Sequence, residues 1–309
     1  MSYCVLECEN RDVWLESRRL TVGASDVPTI LGVNRYKSPY SLWMEKHGDV
    51  LPEDLSENEA VKWGDILEPV VRSETERRLG MQIQYDGKYK ILVSSDHPFL
   101  SCTLDGYLSE PSMYIREMFE GGIEGPGVLE IKTAGKYARE DFDNGSLPIQ
   151  YVVQVMAQMI VTGYRWGLVA YLLEGSTFGI APVEWGPGLA RDITSSAKSF
   201  VDSLRRGDAP DPDHRDLGTI ARMFPDDHGG TMELDSEFDE IDTRLLELKL
   251  ATKNDAIEIK SLEAKIKDAI GDNTFGVSPG GIRYSFKSQT RKGHSVSPST
   301  YRVLRRLKV

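Results

Sequence analysis

Cys102-Thr103-Leu104-Asp105-Gly106-Tyr107 and, further along, Val128-Leu129-Glu130-Ile131-Lys132-Thr133 are the two stretches that decide the fold. Both mix aliphatic, β-branched and aromatic residues between turn signals and read as strands. Successive side chains on a strand point to opposite faces, so Glu130 and Lys132 share one face while Leu129 and Ile131 share the other. An acid and a lysine side by side, with a second acid on a neighbouring strand, form the set that phosphodiester hydrolysis by a hard cation requires. Asp105 and Glu130 would hold Mg²⁺ or Mn²⁺ through oxygen ligands. Such an ion lowers the pKa of bound water and shields charge on the phosphate, and Lys132 would orient that water and stabilise the developing charge. In isolation the same alternation also describes a surface salt-bridge ladder. The surrounding sequence has to decide.

Around this pair the chain is β-rich: residues 82–84, 89–94, 100–108 and 127–132 are expected to form one sheet, with 110–126 as a polar, glycine-rich excursion. Upstream, a short helix after Val13 leads through Gly23-Ala24-Ser25-Asp26 into a second helix stopped by Gly32, with Ser25 or Asp26 as its N-cap. Helices are expected over Pro39–His47 and over residues 56–79, the latter closed by Gly80. Within the latter, Trp63-Gly64-Asp65-Ile66-Leu67-Glu68-Pro69 puts an acid on the helix that precedes the sheet. Downstream, Gln154 and Gln158 stand at i and i+4 on one face of an apolar helix over 149–163. Burying an amide unpaired costs about 1–3 kcal/mol, so such residues mark either a site or a satisfied core contact. A strand over Trp166–Leu173 and a helix over 184–206 complete the region.

Hydrophobic residues make up 40% of the 309 and charged residues 28%, ordinary proportions for a globular chain. No apolar run approaches the roughly 18 residues of a membrane span. The first residues lack a basic segment followed by an apolar one, so a cytoplasmic location is expected. Cys4, Cys8 and Cys102 cannot close into a set of disulfides and read as free thiols; Cys4 and Cys8 lack the further ligands a zinc or iron–sulfur site needs. The net charge of −11 excludes a surface that is basic all over, but a local positive groove suffices for nucleic acid.

No internal repeat is present. The organisation expected is a core over 1–206, a Pro/Asp/Gly-rich linker over 207–230 and a helical arm with a basic end over 231–309. Leu234, Phe238, Ile241, Leu245 and Leu248 recur at spacings of four and three, and Ile259, Leu262 and Ile266 resume the phase beyond Thr252 and Asp255. That stripe either packs on the core or makes an oligomer contact. Residues 283–309 carry Arg291, Lys292, Arg305 and Arg306 among other cations and no acid, which fits phosphate contact as well as a solvated end.

Taken in order, Trp14-Leu15, Arg18, Gly23-Ala24-Ser25-Asp26, Trp63-Gly64, Glu68, Leu104-Asp105-Gly106, Glu130-Ile131-Lys132, Tyr151 and Gln154 resemble the YqaJ-type viral recombinase family, to which phage lambda exonuclease also belongs, over roughly residues 13–175. The resemblance implies a PD-(D/E)XK, restriction-endonuclease-like α/β core, a central mixed sheet flanked by helices. It makes Asp105 and Glu130 metal ligands, Lys132 the residue that positions water, Glu68 a contributor to a second Mg²⁺ or Mn²⁺, and Gln154 a neighbour of the site. Arg18 and Ser25 match the pair that grips a terminal 5′-phosphate, where arginine offers a charged fork and a helix N-terminus welcomes an anion. Leu104 stands where the motif's name has Pro. Asp96 is one position away from a further family carboxylate and is left unassigned. The function implied is 5′-to-3′ exonuclease action on linear double-stranded DNA, with release of mononucleotides and a 3′ overhang used by a single-strand annealing protein. A homo-oligomeric ring is implied with it. An endonuclease with the same core would not need Arg18 and Ser25, and a non-catalytic DNA-binding module would not need the complete set of Glu68, Asp105, Glu130 and Lys132.

Overall fold

The computed structural model describes residues 3–55, 57–135, 142, 147–226, 236–270, 274–277 and 283–285. The chain divides into two units, Met1–Phe224 and Pro225–Val309.

The first unit begins with strand β1 (Tyr3–Glu7), helix α1 (Arg11–Arg19), the short strand β2 (Val22–Gly23), the single turn α2 (Val27–Ile30) and helix α3 (Pro39–His47). Asn10 caps α1 by accepting from the N–H groups of Asp12 and Val13, and Ser38 caps α3 through Ser41 N–H. Helix α4 (Glu59–Leu79) is capped by Asn58 and stops at Gly80, whose φ of 62° is the left-handed conformation that glycine adopts freely. Then come β3 (Lys90–Ser94), β4 (Leu100–Cys102), β5 (Gly106–Leu108), the turn α5 (Met113–Arg116) and β6 (Gly127–Ala134). Helix α6 (Ile149–Thr162), β7 (Trp166–Leu173), β8 (Thr177–Glu184) and α7 (Pro187–Arg206) follow.

The expected single sheet is two. One has the order β1-β3-β4-β2 and the other β5-β6-β7-β8, each a mixed sheet with one parallel pair. The anticipated strand over 100–108 breaks at Thr103-Leu104-Asp105, where the chain leaves β4 in the first sheet and enters β5 in the second. Asp105 is held at this break because its Oδ2 accepts Ile131 N–H at 2.8 Å. The stretch 82–84 is reduced to a bridge from Gln84 to Tyr107. Helix α6 packs on both sheets and on α2 and α7. Its apolar side joins Val128, Val169 and Leu100 in one core, while Leu129, Ile131 and Leu168 turn to a second core with Val71 of α4 and Ile115 of α5. The α/β architecture with mixed sheets flanked by helices is the expected one.

Within the span expected as a linker lie a 3-10 turn (His214–Asp216) and helix α8 (Leu217–Met223). Asp216 is fully buried and accepts hydrogen bonds from the hydroxyls of Ser38 and Ser41, which fastens this segment to α3. Burying a carboxylate is tolerable only when donors surround it in this way. In the second unit, α9 (Glu237–Ile270) runs as one helix through Thr252 and Asp255, and β9 (Phe275–Val277) pairs antiparallel with β10 (Arg283–Ser285). Among the described residues no helix is long and apolar enough to cross a membrane.

Candidate active site

Strand pairing sets the acidic part of the site. Gly106 pairs with Leu129 across β5 and β6, which brings Asp105 opposite Glu130. Glu130 is 2% exposed, and both of its oxygens are occupied. Oε1 accepts from Gln154 Nε2 at 2.6 Å and lies 2.5 Å from Lys132 Nζ, while Oε2 accepts from Gln158 Nε2 at 2.6 Å. The i, i+4 spacing on α6 is what lets two amides reach one carboxylate. Among the described residues, Gln158 Oε1 is buried without a hydrogen-bond partner. Lys132 Nζ also stands 5.3 Å from the centre of the Tyr151 ring.

The electrostatics follow from this seclusion. Burial and the nearby Glu130 carboxylate push the Asp105 pKa well above the usual carboxylate range, although Lys132 and the Ile131 N–H oppose the shift. Burial works against the Lys132 ammonium, but Glu130 and Asp105 outweigh it and raise its pKa above the ordinary lysine value. Lys132 is therefore an ammonium in this arrangement.

Glu68 reaches the same place from α4 through Arg72. The guanidinium pairs with Glu68 Oε1, donates from Nε to the Asp105 carbonyl at 2.9 Å and lies 3.8 Å over the Tyr85 ring. Sequence reasoning passed over Arg72, although a glutamate followed four residues later by arginine on a helix is a recognisable pair.

Arg18 and Ser25 meet on the first sheet's side. Arg18 Nη2 donates to Ser25 Oγ at 2.7 Å, and its guanidinium lies 4.5 Å from the centre of the Trp14 ring. Trp14 Nε1 in turn donates to Thr103 Oγ1 at 3.4 Å. The helix expected after Ser25 is only one turn, and Asp26 makes no side-chain cap to it. A single turn adds little dipole attraction for an anion at Ser25, and the cation that meets Ser25 is Arg18. A cavity of about 230 Å³ brings the two groups together, with Trp14, Arg18, Ser25, Glu68, Asp105 and Gln154 among its walls. Glu130 and Lys132 are not in that lining. Lys88, not anticipated from the sequence, also lines it and pairs with Asp65 at 2.8 Å.

Among the described residues no three Asp, Glu, His or Cys side chains converge closely enough to hold a metal ion as they stand. The donor chemistry nevertheless fits a hard divalent cation. Asp105 is disfavoured as an anion by burial, Glu130 and Glu68 together, a repulsion that a cation would relieve. Asp105 and Glu130 are the residues that would hold it, with Glu68 added if its carboxylate left Arg72. Asp96 lies away from this cavity, in a groove with His97 and Trp185. Cys4 and Cys8 face Val93 and Ser17, not one another. Arg291, Lys292, Arg305 and Arg306 lie outside the described residues.

Residues 13–165 match the model of the YqaJ-like viral recombinase domain. The chain is 32% identical over 204 residues to the uncharacterized protein YqaJ of Bacillus subtilis, a match covering 65% of this chain and 59% of that protein. It is 30% identical over 165 residues to protein D345L of African swine fever virus, covering 50% of this chain and 46% of that one. The chain thus spans less than two thirds of the length of these relatives. An alkaline exonuclease from Laribacter hongkongensis superposes with a TM-score of 0.48 at 20% identity, over 64% of this chain and 94% of that structure.

Proposed function

We propose that this chain, which belongs through residues 13–165 to the YqaJ-like viral recombinase family, is a divalent-metal-dependent deoxyribonuclease that works from the 5′ ends of linear duplex DNA. The observation that carries this reading is the shared cavity, in which Arg18 and Ser25 stand with Asp105, Glu68 and Gln154. A guanidinium that faces a hydroxyl suits a terminal phosphate monoester. A secluded pair of carboxylates beside an ammonium suits hydrolysis of a phosphodiester.

In this reading Arg18 and Ser25 bind the 5′-phosphate and align the strand. Asp105 and Glu130 hold Mg²⁺ or Mn²⁺, two ions when Glu68 takes part, and the bound metal supplies activated water and neutralises charge on the phosphate. Lys132, held as an ammonium by Glu130 and Asp105, donates from Nζ to water or to the phosphate oxygens as charge builds. Gln154 and Gln158 fix the Glu130 carboxylate so that its oxygens do not rotate away. Binding the strand by its terminal phosphate leads to release of 5′-mononucleotides and a 3′ overhang. From the family resemblance come a ring of identical subunits and a single-strand annealing partner; the composition of the chain adds a nuclease core followed by a helical arm over 231–309, with the basic residues Arg291, Lys292, Arg305 and Arg306 as further DNA contacts.

The test is nucleotide release in Mg²⁺ from linear duplex and from covalently closed circles. Release from linear DNA alone, abolished by chelator, is expected. Cutting of closed circles would replace the end-directed reading with that of an endonuclease.

A further inference from the structure

The arginine of the cavity has a carboxylate beside it that it does not pair with. Gly23 lies where Asp26 and Arg18 approach each other: a Cβ added there would stand 3.3 Å from Asp26 Oδ2 and 3.6 Å from Arg18 Nη2. A guanidinium and a carboxylate on either side of one glycine join if either side chain swings toward the other, and a paired arginine offers little to an incoming phosphate. Here Asp26 Oδ2 is claimed by two other donors, Gly23 N–H at 2.9 Å and Lys46 Nζ at 2.8 Å.

Lys46 comes from α3 and its side chain is 8% exposed. Besides Asp26 it donates to the carbonyls of Arg18 at 2.7 Å and Thr21 at 2.6 Å. An ammonium has three protons to give, and these three acceptors use them all. The contacts tie the end of α1, the chain entering β2 and the residue after Ser25 to one buried cation. Arg18, in contrast, contacts a neutral hydroxyl and an aromatic face, and among the described residues its guanidinium makes no ion pair, although its field reaches Asp26. Burial penalises the Asp26 anion, but Lys46 and then Arg18 outweigh this and hold its pKa below the usual carboxylate value.

We propose that Lys46 is a positioning residue for the end-phosphate site: by neutralising Asp26 and bracing the carbonyls of residues 18 and 21, it leaves the Arg18 guanidinium free of a carboxylate and directed at a phosphate monoester. This rests on the reading that Arg18 and Ser25 grip the 5′-phosphate. Without the Lys46 charge, Asp26 captures Arg18 and the site loses its attraction for the terminal phosphate. Removing the Asp26 charge as well releases Arg18 again.

The experiment measures kcat and KM on linear duplex with 5′-phosphate and with 5′-hydroxyl ends for the wild type, Lys46→Met, Lys46→Gln, Asp26→Asn/Lys46→Met and Asp26→Asn/Lys46→Gln. Lys46→Gln keeps a donor for the two carbonyls and serves should Lys46→Met not fold. In the single variants the preference for phosphorylated ends is expected to fall roughly tenfold or more, the worth of a charged hydrogen bond, with the loss in KM. The double variants are expected to regain most of it. A purely structural role would lower activity on both ends alike and would give no recovery on adding Asp26→Asn. A single variant that keeps the wild-type preference, or doubles that fail to recover, overturns the proposal. A wild type with no preference for phosphorylated ends overturns the parent reading of Arg18 and Ser25 and this proposal with it.

Discussion

Asp105, at the entry to β5, and Asp26, just beyond β2, are both carboxylates withdrawn from water within the first unit, and their surroundings drive them in opposite directions. Asp105 faces Glu130 across the strand pair and is pushed toward its neutral form; Asp26 is met by Lys46 and is kept ionised. The first is only partly compensated by Lys132, and it stays in place because paired strands and the Ile131 N–H leave it nowhere to go. The second is compensated on the spot. A site that must receive a cation keeps its carboxylates in repulsion, whereas a site that must receive an anion silences the carboxylate and leaves the arginine exposed to its ligand.

The largest test of this contrast is stability against pH in buffer with chelator. At pH 7 Asp26→Asn leaves Lys46 buried without an anion and is expected to destabilise by about 3–5 kcal/mol. The folded-state pKa of Asp26 is depressed, so its stabilisation is present above the unfolded carboxylate value and is lost as pH falls through the folded value. The deficit of the variant therefore narrows on acidification. For Asp105 the sign reverses: its pKa is raised in the folded protein, so the folded state is favoured at low pH and loses that advantage as pH climbs through the folded value. Asp105→Asn is expected to raise the unfolding midpoint at neutral pH, with the gain gone below the unfolded carboxylate value of about 3.9. Urea unfolding across this range measures both, and shifts of the same sign would break the comparison.

Next in size is the arginine itself. Arg18→Gln removes a charged donor to the terminal phosphate and is expected to raise KM for 5′-phosphorylated duplex roughly tenfold or more, leaving the 5′-hydroxyl substrate little affected. Equal losses on both ends would place Arg18 outside phosphate recognition. The smallest effect concerns Gln158. Replacing it with Met removes a bond to Glu130 but also relieves an unpartnered buried oxygen, so stability is expected to change by less than about 1 kcal/mol while activity falls. A large stability change would mean that Gln158 serves the core rather than the carboxylate.

The sequence patterns that act over a few residues were readable. Alternation on β6 placed Glu130 beside Lys132, Pro39 marked the start of α3, and Gly80 closed α4. Pairings across long stretches of chain left no local mark. Tyr3–Glu7 becomes a strand only because Lys90–Ser94 lies alongside it, and this pairing draws β3 and β4 into a sheet of their own. Thr177–Glu184 was likewise hidden, its order being set by the neighbouring β7. Lys46 looked like one more cation in the last turn of a helix, and nothing local announced that it would turn inward to residues 18, 21 and 26. The same is true of Asp216: the Pro, Asp and Gly around it read as a linker, yet its carboxylate is anchored on α3.

Single-turnover cleavage of 5′-phosphorylated linear duplex by Lys132→Ala, with DNA binding measured on the same preparation, tests the central claim most directly. The account predicts a loss of roughly 10²–10³-fold or more in the cleavage rate, the scale of removing one preorganised electrostatic contact, with binding retained. Cleavage at the wild-type rate would contradict it and would move the chemistry away from Asp105, Glu130 and Lys132.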